Sequence, residues 1–444
     1  MKHLILLLLS ISLVGFLGCE SDNKVDKANL LTISENFKNP IGFYDSNPTF
    51  SWKLPVNDLV KAQSAYIIVV ASSPELLPDK PDVWNSGKVI SDQSTFVPYQ
   101  GKPFKSREKL YWQVQYWDQN NNASAWSDKA TFEMGLLANS DWKGKWIGIT
   151  NETPKEKTRA NTPLFVPQYL RKEFTVDNAI KKARLYITAK GLFEAFINGK
   201  KVGKDLMVPG WTPYTKRIET LSHDVTNNLN RGDNALGVTL AEGWYAGRIG
   251  YKKSQWTNTK PPKVLCQLEI EFTNGQKKII VTDNTWKGTQ NGPIRASEIY
   301  DGEFYDARME LNGWNEVFSI NEDKKWKAVV SEEIGDNVLL QPKRHLPVRV
   351  IDTLPTKNIL KSEKGDVVFD IGQNLAGLAS VQVPMLKGDT LVINFGEMLS
   401  KDGSVYRKSY RSAHSTDYYV AKADGIINWQ PQFTYHGFRY VQLS

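Results

Sequence analysis

From about residue 30 onward, apolar and polar side chains alternate with a period of two through almost the whole chain. Tyr66-Ile-Ile-Val-Val70, Leu110 to Trp117, Ala183 to Thr188 and Val264 to Ile270 all carry the pattern. Successive side chains on a strand point to opposite faces, so this period builds half-buried strands and does not suit a helix. Turn formers close the runs, among them Asn198-Gly199, Asn274-Gly275 and Asp402-Gly403. No amphipathic helical stretch competes with the strand pattern. The fold class expected is therefore all-β, and short strands with frequent turns favour tandem β-sandwiches over one large barrel.

Size and composition set the number of cores. At about 100–200 residues per domain, the length implies two to four domains. The 444 residues are 41% hydrophobic and 11% aromatic, enough to fill several cores. Two cysteines exclude a disulfide framework and a Cys-rich zinc module. Cys266 sits in an alternating run and is read as a buried free thiol. The net charge of +8 is spread out without a Lys/Arg block, so no nucleic-acid partner is expected.

The N-terminus reads as an address. Lys2 and His3 precede an apolar run from Leu4 to Phe16, too short to span a bilayer comfortably. It ends in Leu17-Gly18-Cys19, which resembles a bacterial lipoprotein signal with Cys19 as the lipidated first mature residue. The expectation is a signal peptide at residues 1–18, a polar tether at 19–28 and a lipid-anchored protein of the bacterial cell envelope. It would sit on the outer membrane, on the periplasmic or surface side, touching membrane only through that anchor.

Three β-domains follow. Residues 29–138 hold Trp52 on an early strand, the aromatic run Tyr111 to Trp117 and a Trp126-Ser turn, a pattern that resembles a fibronectin type III domain. Residues 139–341 are too long for one seven-stranded sandwich and suit a decorated jelly roll. Residues 342–444 read as a further β-sandwich. Thr150 to Pro163 is charged and Pro-containing, hence a surface loop.

The second segment contains Ala195-Phe-Ile-Asn-Gly-Lys200, Val208-Pro-Gly-Trp-Thr-Pro-Tyr214 and Ala241-Glu-Gly-Trp-Tyr-Ala-Gly-Arg248. The third contains Phe369-Asp-Ile-Gly-Gln-Asn-Leu-Ala-Gly377, Phe395-Gly-Glu-Met-Leu399, Tyr410-Arg-Ser-Ala-His414 and Phe433-Thr-Tyr-His-Gly-Phe-Arg-Tyr440. In order and spacing these runs resemble the N-terminal β-domains of bacterial α-L-rhamnosidases, glycoside hydrolase family 78. The resemblance implies inverting hydrolysis of terminal non-reducing α-L-rhamnose from glycans or glycosides. It also implies that the general acid and base stand on an (α/α)6 barrel after the β-domains, for which this sequence offers no helices and no matching acidic motif. No residue here is therefore assigned as catalytic.

Glu242 and Glu397 lie in the most motif-like stretches, beside Gly and aromatics, where a carboxylate bonded to a turn is the competing reading. His223, His345, His414 and His436 form no closely spaced metal pair. There is no Gly-x-Ser-x-Gly elbow and no phosphate loop. Asn198, Trp211, Tyr214, Trp244, Tyr245 and Arg248 are the carbohydrate-binding candidates. Aromatics beside turns are either core plugs or platforms for apolar sugar faces, and Asn and Arg can take sugar hydroxyls. The resemblance implies a calcium ion in some jelly rolls of the family, although no ligands can be numbered here; no other cofactor is expected. Two readings stand: the N-terminal part of an α-L-rhamnosidase-like protein, whose catalytic domain is missing or separate, or a non-catalytic surface lipoprotein that binds rhamnose-containing glycans.

Overall fold

The computed structural model describes residues 25–34, 36–57, 59–157, 163–247, 260–317, 325–335 and 337–444. Cys19 and Arg248 lie outside the described residues, and nothing structural is attached to them. The described chain is all-β: strands are joined by turns, and the helical pieces among the described residues are short 3-10 turns. None of these helices is long and apolar enough to cross a membrane.

The chain resolves into two compact units. One takes in the described residues up to Asn36 together with Thr49–Gly101 and Tyr111–Ala130. In it Asn29–Ile33, Thr49–Lys53 and Val97–Pro98 form one sheet. Gln63–Ala71 pairs antiparallel with Lys109–Asp118, Ala71 facing Tyr111. Phe50 and Trp112 meet at 4.6 Å between ring centroids. Buried Trp52 donates its indole N–H to Gln63 Oε1 at 2.9 Å, which satisfies its polar atom inside the core.

The other unit takes in Phe37–Pro48, Lys102–Leu110 and Thr131–Ser444. Its first part is a two-sheet jelly roll. Ile180–Lys190, Lys263–Phe272 and Arg217–Asp224 are central to one sheet; Gln168–Val176, Gly232–Ala241 and Leu192–Ile197 are central to the other. The alternation fills the space between them: Leu185, Ile187, Leu236, Val238, Leu240, Cys266, Leu268 and Trp286 are all fully buried in one cluster. Each such aliphatic side chain contributes about 1.5–3 kcal/mol through its removal from water. The Cys266 thiol is free and buried.

Behind the jelly roll lies a seven-stranded sheet, in the order Ile294–Glu298, Gly302–Asp306, Thr416–Val420, Thr390–Gly396, His436–Leu443, Val367–Gly377 and Asn358–Lys361. Two strands from before residue 341 join it: Gly302–Asp306 runs parallel to Thr416–Val420, with Tyr305 opposite Tyr419. Leu339–Pro342 stays with the jelly roll, where it runs parallel to Arg217–Asp224. The chain thus passes from one sandwich to the other and back, and sheet membership does not divide at a single residue. A two-stranded ribbon, Val381–Met385 with Gly425–Trp429, covers part of one face of the seven-stranded sheet.

Candidate functional site

Strand Gly232–Ala241 leaves the jelly roll and runs directly into Glu242-Gly-Trp-Tyr-Ala-Gly247. Gly243 and Gly247 take φ of 50° and 81°, values that let the backbone turn back sharply. The amides of Tyr245 and Ala246 donate to the Glu242 carbonyl at 3.1 and 3.3 Å, which closes the turn. The turn sends its two aromatics to different places. Tyr245 is buried beside Phe165 and stands edge-on to Tyr214, with ring centroids 5.2 Å apart. Trp244 is half-buried, packs on Leu192, Ile294 and Phe433, and lies 6.5 Å from the Tyr435 ring.

The five carbohydrate-binding candidates among the described residues therefore do not form one constellation. Tyr214 and Tyr245 pack against each other edge to face, while Trp244 lies beside Tyr435. Trp211 is 55% exposed. Asn198 is the first residue of a hairpin turn at φ 50°, followed by Gly199 at φ 79°. Its amide donates to the Asn228 carbonyl and Asn234 Oδ1 at 3.0 and 2.8 Å, and its Oδ1 accepts from the Ala235 amide at 2.9 Å. Those bonds spend its polar groups on the fold. Of the five described candidates, Trp244 alone lines the large cavity described below.

That cavity is a groove of about 920 Å³. Its walls include Met207, Trp244, Ile351, Phe369, Phe438 and Leu443. Asp352 is the single acidic residue along it. The segment from Leu346 to Leu354, which supplies one wall, went unread as a site in the sequence. Its signal was present as Val348, Val350, Ile351 and Leu354 set between Pro347 and Pro355.

No acid with a clearly shifted pKa lines this groove. Glu242 is 1% exposed, and neither carboxyl oxygen has a hydrogen-bond partner among the described residues. Burial, with Glu298 and Asp301 nearby, pushes its pKa well up, which favours the neutral carboxyl. Glu298 accepts from the amides of Tyr300 and Asp301 at 2.8 and 2.9 Å. Glu303 is fully buried and accepts from the amides of Gln432 and Phe433, and burial raises its carboxyl to about 8. Glu397 is exposed, and together with burial it helps to raise the nearby Tyr410 hydroxyl to about 12.

The fold also assembles a Ser-His-Asp chain that no sequence elbow announces. His436 Nε2 lies 3.1 Å from Asp417 Oδ1, and its Nδ1 lies 3.0 Å from Ser415 Oγ. A carboxylate accepts, which puts the imidazole proton on Nε2 and leaves Nδ1 to accept from the serine. All three side chains are at most 5% exposed, and none lines the groove. Asp417 Oδ1 also accepts the Glu303 amide at 2.8 Å, so the chain ties strands together and offers no nucleophile to solvent. Among the described residues no group of three or more His, Cys, Asp or Glu is placed to hold a metal ion.

Three protein-family models match along the chain. Residues 30–138 match the Rha78A-like N-terminal immunoglobulin domain, a sandwich akin to the fibronectin type III pattern. Residues 178–352 match the alpha-L-rhamnosidase N-terminal domain, and residues 360–444 the bacterial alpha-L-rhamnosidase concanavalin-like domain. The chain belongs to the α-L-rhamnosidase family. A Formosa agariphila alpha-L-rhamnosidase is 52% identical over 96% of this chain and 46% of its own length. One from an Alteromonas species is 44% identical over 98% and 47% respectively. The solved α-L-rhamnosidase of Dictyoglumus thermophilum superposes with a TM-score of 0.83 at 33% identity, over 95% of this chain and 47% of that one. That of Streptomyces avermitilis, solved with L-rhamnose, gives 0.82 at 27% identity over 94% and 56%. The chain spans about half the length of the curated relatives it matches.

Proposed function

We propose that this chain serves α-L-rhamnoside hydrolysis as a β-framework and does not itself supply the reacting groups. Inversion at a glycosidic centre needs an acid and a base about 6.5–9.5 Å apart across an open cleft, and retention a pair about 5–5.5 Å apart. The observation that carries the reading is the groove: its wall has one acid, Asp352, while Glu242, Glu298 and Glu303 are closed off from solvent. One carboxylate cannot play both parts. The substrate class is a rhamnose-containing glycan, a reading supported by the relatives' names and by the Streptomyces avermitilis protein solved with L-rhamnose. The reading of a stand-alone rhamnose-binding protein has less support, since the five candidate side chains among the described residues are dispersed and Asn198, Tyr214 and Tyr245 are committed to the fold. Purified residues 1–444 incubated with an aryl α-L-rhamnoside are expected to release no aglycone above buffer. Release that disappears on Asp352→Asn, Glu242→Gln or Glu397→Gln would place a reacting group in this chain and overturn the proposal.

The cell-envelope location is part of the same proposal. Lipidation at Cys19 would hold the framework at the bacterial envelope. Cys19→Ala is expected to move the protein from the membrane to the soluble fraction. Unchanged membrane association would exclude Cys19 as the anchor.

A further inference from the structure

The seven-stranded sheet is only partly covered. The ribbon Val381–Met385/Gly425–Trp429 packs Val381, Met385 and Trp429 against Ile393, Phe395 and Val441. The groove adjoins this packing, and Phe369, Ile371, Phe438 and Leu443 line it. Across from them runs a segment with Val348 51%, Val350 64%, Ile351 97% and Leu354 37% exposed. Val348 is held in place, since its carbonyl accepts the Leu206 amide at 2.8 Å. Its neighbour Arg349 is bound to Asp205 at 2.7 Å. This apolar wall is therefore presented on a fixed backbone.

Two features say what kind of molecule fits. Val381–Met385 pairs with Gly425–Trp429 and with no other strand among the described residues, and Val381, Gln382 and Val383 line the groove. An unpaired strand edge offers backbone donors and acceptors to another polypeptide. The charged side chains on the wall are Arg349, already bound to Asp205, and Asp352, so a strongly ionic partner finds little to complement. Gln373, Gln382, Gln430 and Gln432 also line the groove, but most of the lining is apolar and it borders a strand edge, which suits a polypeptide better than a sugar. The curated relatives contain as much polypeptide again as they share with this chain.

We propose that the groove is the seat of an apolar polypeptide segment from that second half of the family's chain. The segment completes the cover of the seven-stranded sheet and lies along the edge at Val381–Val383. The inference rests on the reading that the reacting groups stand outside these residues. Its test reads no activity, so the two can fail separately.

The experiment compares hydrogen exchange in this chain with that in the intact Formosa agariphila relative. Peptides covering residues 345–356 and 379–385 are expected to exchange quickly here, and about tenfold or more slowly at the aligned positions of the intact relative. Aspartate at the positions aligned with Val350 and Ile351 should remove that protection in the relative while its other sheets stay protected. Equal exchange in the two proteins overturns the proposal. So does a dimer of this chain, seen by light scattering and abolished by Val350→Asp with Ile351→Asp, because the occupant would then be a second copy.

Discussion

Buried charge is handled in two opposite ways within the larger unit, and each way fixes a measurable response. Arg184 meets Glu133 through two parallel bonds of 2.8 and 2.9 Å, with Lys182 and Asp224 also in reach at 2.9 Å. Desolvation works against the guanidinium, yet its bonds to Glu133 outweigh that and leave its pKa raised. Glu133→Gln would leave that cation buried with half its pairing, and should destabilise the fold by about 3–5 kcal/mol in denaturant melts. Glu242 has no such partner among the described residues, and burial pushes its pKa well up. Its folded pKa lies above the unfolded value, so its contribution is full below about pH 4.5 and falls as pH rises towards the folded pKa, at about 1.4 kcal/mol per pH unit. Glu303 acts in the same sense up to about 8. Melting temperature should therefore fall between pH 5 and 8, and Glu242→Gln should flatten that slope and raise stability at pH 8. An unchanged slope would show that Glu242 is ionised in the folded state.

Strands and turns were the most legible level, because period-two alternation and turn chemistry are local. The run from Ala183 to Thr188 appears within strand Ile180–Lys190, and Val264 to Ile270 within Lys263–Phe272. Asn198-Gly199 is the hairpin its residues demand. What local pattern cannot tell is which side chain the fold consumes. Asn198 looked available for a sugar, but its partners Asn228 and Asn234 come from around the start of a strand more than thirty residues on. Asn198→Ala should cost about 2–3 kcal/mol, from lost hydrogen bonds and from positive φ on a residue with a Cβ. Asn198→Gly should recover about 1 kcal/mol of that by relieving the turn alone. Equal destabilisation by both would mean that the turn geometry contributes nothing. The groove was invisible for a related reason: Ile351, Phe369 and Leu443 come together only once the sandwich forms.

At the level of the whole molecule, the all-β class and the family followed from residues, while the division of strands between sandwiches did not. Ile294–Glu298 and Gly302–Asp306 join a sheet whose other strands all lie after residue 357, a non-local choice that alternation leaves open. The same holds for Ser415, His436 and Asp417, which come from two sequence stretches and meet in the interior. The functional account depends on what these sheets leave accessible: a largely apolar groove with one acid on its wall, while Glu242, Glu298 and Glu303 are sealed away from solvent. The most direct test is the hydrolysis rate of an aryl α-L-rhamnoside by residues 1–444 from pH 4 to 8, with the intact Formosa agariphila relative run alongside. Enzymes accelerate such reactions by about 10⁶-fold or more with a positioned acid and base. The account predicts turnover by the relative and a rate for this chain indistinguishable from buffer at every pH. A rate that rises in proportion to the concentration of this chain would contradict it.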